Sequence, residues 1–398
     1  AGEAAPARMA GPLGARGSRG HESPPSLCTP CGIALGATWN PDLVRRVGEI
    51  LAADTKAKGA HILLAPTVNI HRSPLAGRNF ECYSEDPYLT GKLASAYIQG
   101  LQSQDVGACI KHFVCNDSEV ERRTMSSEVR ERALREIYLT PFRMAIEEAH
   151  PWSLMSAYNK VNGTSCSQNA YLLRHILKET WEFDGLVISD WDGTYSPEAA
   201  AGGLDLEMPG PAKWMDERVL ELVQSGELDE TLIDDKIRRL LRTVDRVGAF
   251  ESPELQPERS IDYPEHHPVA RQAATEAIVL LKNEGDILPL DPQKKATVAV
   301  IGPNAVNTQP HGGGSVHVNP HYLVSALDGI RAQAGDACQI EYAMGCDIRK
   351  ITPRIENDWL THDEGQPGLK MHYYDNLDCS GAPAHTKIVK ALELSWVG

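Results

Sequence analysis

From Gly32 to about Phe250, short apolar runs alternate with longer stretches of helical periodicity, and this alternation restricts the folds open to the chain. The runs are residues 61–68, 108–114, 152–158, 186–190 and 204–208. Helical patterns lie between them, at residues 91–104, 129–149 and 171–181. Apolar strands that alternate with amphipathic helices predict a parallel sheet with helical crossovers. The repetition favours a (β/α) TIM-like barrel, with a doubly wound open sheet as the alternative.

Chemically capable side chains stand at the ends of most of these runs. Lys111 and His112 end one run, Tyr158 ends the next, and Asp190 and Trp191 end a third. Barrel enzymes place their chemistry at the carboxyl ends of their strands. The pattern therefore favours the barrel and predicts that these residues converge on one mouth.

The charge balance narrows the class of partner. The 398 residues include 39 Lys plus Arg and 54 Asp plus Glu, a formal net charge of −15. Nucleic acids and anionic membranes attract positive fields, so this balance argues against both and is compatible with a neutral sugar. The sequence has no run of 18 apolar residues, which excludes a spanning helix. No motif indicates a cofactor.

The amino-terminal segment, residues 1–27, is rich in Gly, Ala, Pro, Arg and Ser and has no apolar signal-peptide core. It is expected to be disordered or foreign to the fold. The location of the protein is left open between cytoplasmic and secreted. Cys28 and Cys31 form a C-x-x-C without the second pair that a zinc site needs. They are expected to be small residues in a turn before a buried strand.

Composition divides the rest of the chain. The barrel is expected over residues 28–252, a Pro-rich charged linker over 253–264, a second α/β domain over 265–352 and a β-rich module from 353 to 398. Residues 229–247 predict a helix that closes the barrel. The apolar residues on one face of this helix are Leu232, Ile233, Ile237, Leu240, Leu241 and Val244.

Asp190 is the sharpest catalytic candidate. A carboxylate at the end of a buried strand costs desolvation unless it is paired or functional, and Lys111 and Arg122 are candidate cations. Such a carboxylate can attack an anomeric carbon, or it can be a helix cap. Lys111 and His112 could donate hydrogen bonds to sugar hydroxyls. The alternatives are a Schiff-base Lys111 with His112 as proton shuttle, or a Lys that snorkels beside a buried His.

Three further features are candidates for ligand contact. The planar fork of Arg78 suits adjacent hydroxyls, with an ion pair to Glu81 or Glu85 as the structural alternative. Trp191 could stack on a sugar face, with Met155 nearby. Core packing explains the presence of Met155 equally well. Residues 312–315 (GGGS) predict a tight loop and lack the Lys of a phosphate-binding P-loop.

Several co-ordered motifs resemble glycoside hydrolase family 3, and within it the fungal β-glucosidases. They are residues 65–91, 111–122, 155–163 (MSAYNKVNG) and 186–209, with SDW and GLDLEMP. Residues 282–290 (KNEGDILPL) and 301–304 (IGPN) resemble the start of that family's α/β sandwich domain. The segment after about Pro353 resembles the start of a protective-antigen-type β-sandwich insert.

The resemblance implies a role for each candidate. Asp190 is implied to be the nucleophile of a retaining mechanism on a β-glucoside or cello-oligosaccharide. The remaining residues are implied to bind the sugar, namely Arg78, Lys111, His112, Arg122, Met155, Tyr158, Trp191 and Ser315. The family's acid/base Glu is expected beyond Gly398, and neither Glu284 nor Glu341 matches its motif.

The sequence also departs from the family pattern. Residues 1–27 lack the early Asp-Gly motif, so the chain is expected to be truncated at both ends, with an incomplete barrel and little activity alone. A β-xylosidase or N-acetylglucosaminidase of the same family, a Schiff-base lyase and a non-catalytic sugar-binding remnant stay as alternatives. Aglycone, linkage preference and homo-oligomer formation are left open.

Overall fold

The computed structural model describes residues 9–10, 24–254, 256–294, 297–348, 359–363 and 365–390. The chain divides into two compact units. The first comprises Ala1–Asp291 with Thr308–Val324, and the second comprises Pro292–Asn307 with Ser325–Gly398. Residues 1–8 and 11–23 of the expected tail, and residues 353–358, 364 and 391–398 of the expected β-rich module, lie outside the described residues.

The first unit is built on a parallel sheet of five strands, as the alternating pattern predicts. In spatial order the strands are β1 (Met9–Ala10), β2 (Ile62–Leu63), β3 (Gly107–Phe113), β4 (Ser153–Ser156) and β5 (Leu186–Ser189). Strand β1 lies in the segment that the sequence predicts to be disordered. Leu206, in the fifth apolar run, forms a single parallel bridge to Ile188 of β5. The α/β class with a parallel sheet is therefore confirmed.

Helices cover this sheet. They are α1 (Gly32–Thr38), α2 (Pro41–Ala57), α3 (Pro87–Gln102), α4 (Thr140–Ala149), α5 (Tyr171–Thr180), α6 (Ala199–Gly202), α7 (Glu217–Gln224), α8 (Glu230–Arg246) and α9 (His267–Glu276). Asn40 caps α2 by accepting the Leu43 amide, and Pro41 starts the helix. Helix α1 stands where a buried strand was expected after Cys31, so that expectation is wrong.

The core explains why the strands are so apolar. All seven residues of β3 and all four of β4 and of β5 are buried, as expected for a parallel sheet covered by helices. Helices α2 and α3 pack closely through glycine, since a Cβ on Gly100 would lie 2.0 Å from the Arg45 carbonyl oxygen. Within the residues that the structure describes, no helix has the length and apolar character needed to cross a membrane.

The apolar face of helix α8 is only partly buried, and two charged residues of the helix are more buried than it is. Ile237 and Leu241 are 50% and 47% exposed, whereas Lys236 and Arg239 are 6% and 8% exposed. Arg239 donates to the carbonyl oxygens of Phe183 and Gly185, at 2.5 and 3.1 Å. Burial is tolerated there because the guanidinium is hydrogen-bonded. The predicted helix is confirmed, but of its six apolar-face residues Ile237 and Leu241 are exposed and the other four are only partly buried.

The second unit contains a parallel pair of strands and a hairpin. Thr297–Ile301 pairs with Gln339–Ala343, and the helix Ala326–Ala334 connects to the second of these strands. Leu369–Tyr373 and His385–Val389 form an antiparallel pair. The exposed and partly buried residues of Thr297–Ile301 alternate, in contrast to the wholly buried strands of the first unit.

Candidate active site

Asp190 follows β5 directly and is 8% exposed. Its Oδ1 accepts the amide N–H of Trp191 at 2.7 Å, and its backbone oxygen accepts the amide of Gly193 at 2.9 Å. These two bonds fix the turn that ends the strand. The second carboxylate oxygen, Oδ2, lies 3.6 Å from Nε2 of His112. The strand end therefore holds the carboxylate in one orientation, beside the end of β3.

Lys111 and His112 lie at the carboxyl end of β3 and are 5% and 2% exposed. Burial lowers the pKa of Lys111, while Glu81 and Asp190 act in the opposite direction. Among the residues that the structure describes, the Lys111 ammonium has no hydrogen bond and no ion-pair partner within 4.0 Å. Its three N–H donors are therefore available to a ligand.

His112 is neutral, so its contact with Asp190 is not a salt bridge. Burial lowers the pKa of His112 well below its usual range, and the charges of Arg78, Lys111 and Arg122 lower it further. In a neutral imidazole one nitrogen donates and the other accepts. The separation of 3.6 Å from Asp190 Oδ2 also exceeds hydrogen-bond length.

Asn69 assigns the proton of this imidazole. Its Nδ2 donates to the carbonyl oxygen of His112 at 2.9 Å, so its Oδ1 faces the His112 amide at 3.0 Å and Nδ1 at 3.3 Å. Because Oδ1 can only accept, Nδ1 carries the proton and donates it. The other nitrogen, Nε2, is then left with a lone pair that can accept a ligand hydroxyl.

Arg78 is held by two carboxylates. Its Nε and Nη2 donate to the two oxygens of Glu81, both at 2.8 Å, and Nη1 lies 3.8 Å from Glu119. The predicted ion pair with Glu81 is therefore confirmed, and it leaves Nη1 as the nitrogen open to a ligand. Glu119 also accepts from Nη1 of Arg122 at 2.7 Å. The two carboxylates fix the positions of both guanidinium groups.

Aromatic rings border the same region. The Tyr158 hydroxyl donates to the Trp191 carbonyl oxygen at 2.8 Å, and the Arg122 guanidinium stacks on the Tyr158 ring at 4.6 Å. Burial and the charge of Asp190 raise the pKa of Tyr158, so this phenol stays protonated. Met155 is buried in a cluster with Ile188, against which Trp191 packs. Packing thus explains Met155 without a ligand.

Ser315 lies in the described loop that belongs to the first unit. The loop rests on Phe80, since a Cβ on Gly312 would come within 2.4 Å of the Phe80 ring. Val316 and Val318 pack with Cys28, Cys31 and Phe80. Ser315 itself is exposed. The loop therefore contacts the segment that carries Arg78 and Glu81.

The structure thus brings Asp190, His112, Lys111 and the Arg78 fork together, and Tyr158 and Arg122 lie beside them. Sequence reasoning missed Asn69 and Glu119. The local signal for Glu119 is a side chain of opposite charge three residues further on, Arg122, with which it pairs. In the described part of the chain, His, Cys, Asp and Glu side chains form no cluster of three or more suited to a metal ion.

Comparison with known proteins identifies the family. Residues 15–243 match the model of the glycosyl hydrolase family 3 N-terminal domain, and residues 278–391 match that of its C-terminal domain. The chain belongs to glycosyl hydrolase family 3. The resemblance stated from the sequence motifs is therefore confirmed.

Similar proteins are named β-glucosidases. The chain is 46% identical to a β-glucosidase of Rhizobium radiobacter over 97% of its own length and 46% of that protein. It is 45% identical to β-glucosidase B of Emericella nidulans over 94% of its length and 44% of that protein. The crystal structure of a Kluyveromyces marxianus β-glucosidase in complex with glucose matches with a TM-score of 0.83, 38% identity, and coverage of 98% and 49%. The chain thus spans about half the length of these relatives.

Proposed function

We propose that this chain supplies the nucleophile of a retaining β-glucosidase, which hydrolyses terminal non-reducing β-D-glucosyl residues. The observation that carries the proposal is the Asp190 carboxylate, fixed by the Trp191 amide and placed beside neutral His112. A neutral, hydroxyl-rich ligand suits the group because Lys111 offers donors and His112 Nε2 offers an acceptor. The names of the relatives support glucose as the sugar.

In the proposed reaction, Asp190 attacks the anomeric carbon as the bond to the aglycone breaks, and the leaving oxygen takes the electron pair. A covalent glucosyl ester forms on Asp190, and water then cleaves it with retention of configuration. Lys111, Arg78 and Arg122 donate to sugar hydroxyls, while His112 accepts from one. Trp191 and Tyr158 border the ring, with Met155 beneath Trp191 and Ser315 at the edge. We assign the acid/base to no residue of this chain.

The finer architecture belongs to the same proposal. Residues 28–252 would form a TIM-like barrel that is incomplete at its amino terminus, followed by the linker 253–264. Residues 265–352 would be the first part of the α/β sandwich domain, and residues 353–398 the beginning of a β-sandwich insert. Support comes from the parallel sheet and from the two family matches.

A Schiff-base lyase remains the second candidate because burial lowers the pKa of Lys111, which favours a nucleophilic amine. The carbonyl carbon of its substrate would form an imine with the Lys111 amine, and the carbonyl oxygen would leave as water. Borohydride would reduce that imine and fix the substrate on Lys111. A glycosidase would instead form an ester on Asp190.

Trapping of the glucosyl ester tests the proposal directly. The probe is 2,4-dinitrophenyl 2-deoxy-2-fluoro-β-glucoside, whose leaving group departs without a proton from an acid/base. We expect the 398-residue chain to gain the fluoroglucosyl mass on the peptide that contains Asp190. Asp190→Asn should slow labelling at least about a thousandfold, because an amide is a poor nucleophile.

The matched control is Asp192→Asn, two residues along the chain, where the carboxylate pairs with Lys213 at 2.7 Å. This variant should label at the wild-type rate. Labelling of another residue, or equal labelling of the Asp190→Asn protein, would overturn the proposal. Borohydride fixation on Lys111 with a carbonyl substrate would establish the lyase instead.

A further inference from the structure

A second group of charged side chains lies between α5 and α8. It includes none of the residues described around Asp190. It lines a pocket of about 230 Å³, whose wall includes Ala200 and Gly203. A Cβ on Gly203 would come within 2.9 Å of Cγ of Arg174. The glycine therefore leaves room for the stem of Arg174 at the pocket.

Two acidic residues of this group, Asp205 and Asp235, are already paired with cations. Asp205 accepts from Nζ of Lys178 at 2.5 Å and from the Val187 amide at 2.9 Å. Asp235 accepts from Nε of Arg239 at 2.8 Å and lies 3.5 Å from Nζ of Lys178. Two carboxylates and two cations thus compensate each other, with good geometry for buried charges.

Two cations at the pocket are left over. Lys236 is 6% exposed, and in the described part of the chain it has no hydrogen bond and no ion-pair partner within 4.0 Å. Arg174 likewise has neither in that part of the chain. Glu179, the remaining acid at the pocket, is exposed and faces His175 at 3.4 Å. A buried charge without a partner is costly, so an external anion would be stabilised here.

We propose that this pocket binds a small oxyanion of the phosphate class, held by Lys236 and Arg174. Arg174 presents a planar fork that matches phosphoryl oxygens, and Lys236 presents a point charge from the opposite helix. The volume suffices for such an anion with water, since one water takes about 30 Å³ of liquid. The anion could be inorganic phosphate or the phosphoryl group of a sugar phosphate.

The pH dependence of binding follows from the groups that face Lys236. Burial lowers the pKa of Lys236 to about 8, with Asp205 and Asp235 opposing and Lys178 and Arg239 reinforcing the shift. A bound anion favours the charged amine. Affinity should therefore be greatest below pH 8 and fall as pH rises through that value. Sulfate is the probe for this series because its own charge is constant there.

Calorimetric titration of the whole chain tests the site. We expect inorganic phosphate and sulfate to bind at one site, and Lys236→Gln and Arg174→Gln each to weaken binding at least about tenfold. The matched control is Arg238→Gln on the same helix, whose side chain is 65% exposed and pairs with Asp234. It should leave the affinity unchanged. Two variants from different helices guard against a folding defect in one, which circular dichroism reports.

Glucose 6-phosphate separates the two sources of the phosphoryl group. Tighter binding than inorganic phosphate would assign a sugar phosphate, and equal or weaker binding would assign free phosphate. No heat with any of the three anions would overturn the proposal. Binding that survives both pocket variants, or that does not weaken between pH 7 and 9 with sulfate, would overturn it too. The readout is independent of Asp190 labelling.

Discussion

Lys111 and Lys236 are both buried lysines whose pKa burial lowers, yet their surroundings suit different ligands. Lys111 stands at a strand end beside Asp190. Among the described residues, no cation lies within salt-bridge distance of the Asp190 carboxylate, because His112 is neutral. Lys236 stands between helices whose carboxylates already have partners. A cation and a carboxylate that have no ion-pair partner among the described residues suit a neutral ligand with hydroxyls. Cations alone without such a partner suit an anion.

The same difference separates reactivity from binding. Asp190 can use its carboxylate because Glu81, and not Asp190, accepts both hydrogen bonds from the Arg78 fork. At the second site, Asp205 and Asp235 are each bound by a cation and have no such freedom. Chemistry is therefore expected at the strand ends, and anion binding alone between the helices.

The largest effect that tests this contrast is expected from exchanging the two lysines for methionine. Lys111→Met removes the charged donor that we propose for the sugar and should slow fluoroglucosyl trapping about 10- to 100-fold. It should leave phosphate affinity unchanged. Lys236→Met should weaken phosphate binding and leave the rate of fluoroglucosyl trapping unchanged. Both rates and affinities are measured on the same preparations, and crossed effects in either variant would refute the separation of the two sites.

A slightly smaller effect is expected on stability. The pKa of Lys236 is about 8 in the folded chain and 10.5 ordinarily, so burial imposes no penalty above pH 10.5. The penalty grows as pH falls to 8 and is complete below that value. Lys236→Met should therefore raise the free energy of unfolding by about 1–3 kcal/mol at pH 7 in phosphate-free buffer. This gain should shrink towards pH 10.5.

Urea denaturation at both pH values measures this difference, and effects on other groups cancel between variant and wild type. Arg238→Met, on the exposed face of α8, is the control and should change stability by less than about 0.5 kcal/mol. Destabilisation by Lys236→Met at pH 7 would mean that its neighbours compensate the buried charge. In that case the pocket would have no unbalanced cation to offer an anion.

The sequence could predict much of the first site and little of the second. An apolar run that ends in Lys111 and His112, or in Asp190, predicts a buried strand with chemistry at its end, and the parallel register then brings the ends together. Helix α8 shows the opposite case. Periodicity places Ile237 on the apolar face of the helix, but Ile237 is exposed and Lys236 is buried. Asp205 and Asp235 create a polar environment around Lys236, which a pattern of apolar residues does not reveal.

Asn69 could not be predicted for a related reason. It follows the short strand β2 in an irregular segment, and its partner His112 is 43 residues further along the chain. Nothing local to Asn69 indicates that its amide fixes a tautomer on a neighbouring strand. Likewise, the loop with Ser315 was assigned to the second α/β domain by its position in the sequence, whereas its contacts group it with the first unit.

The next largest effect is expected from substitutions of Asn69. Asn69→Ala removes the acceptor for Nδ1 and should slow trapping about tenfold, since Nε2 then competes for the proton. Asn69→Asp restores an acceptor but adds a charge, which raises the pKa of His112. Trapping by this variant should fall as pH drops through the raised pKa, while the wild type keeps a neutral imidazole over the same range.

The pH profile separates positioning from simple support of the fold. A structural role alone would slow trapping equally at every pH and would leave the two Asn69 variants alike. A wild-type profile in Asn69→Asp would therefore contradict the assignment of the Nδ1 proton.

The smallest effect concerns the loop on Phe80. If Ser315 donates one neutral hydrogen bond to the sugar, Ser315→Ala should slow trapping only about threefold. Gly312→Ala should slow trapping by about the same factor, because its Cβ would meet the Phe80 ring at 2.4 Å and displace the loop. Gly329→Ala is the matched control, as its Cβ has no neighbour within 4 Å. Unchanged rates in both loop variants would remove Ser315 from the site and confine the chemistry to the strand ends, where Lys111, His112 and Asp190 lie.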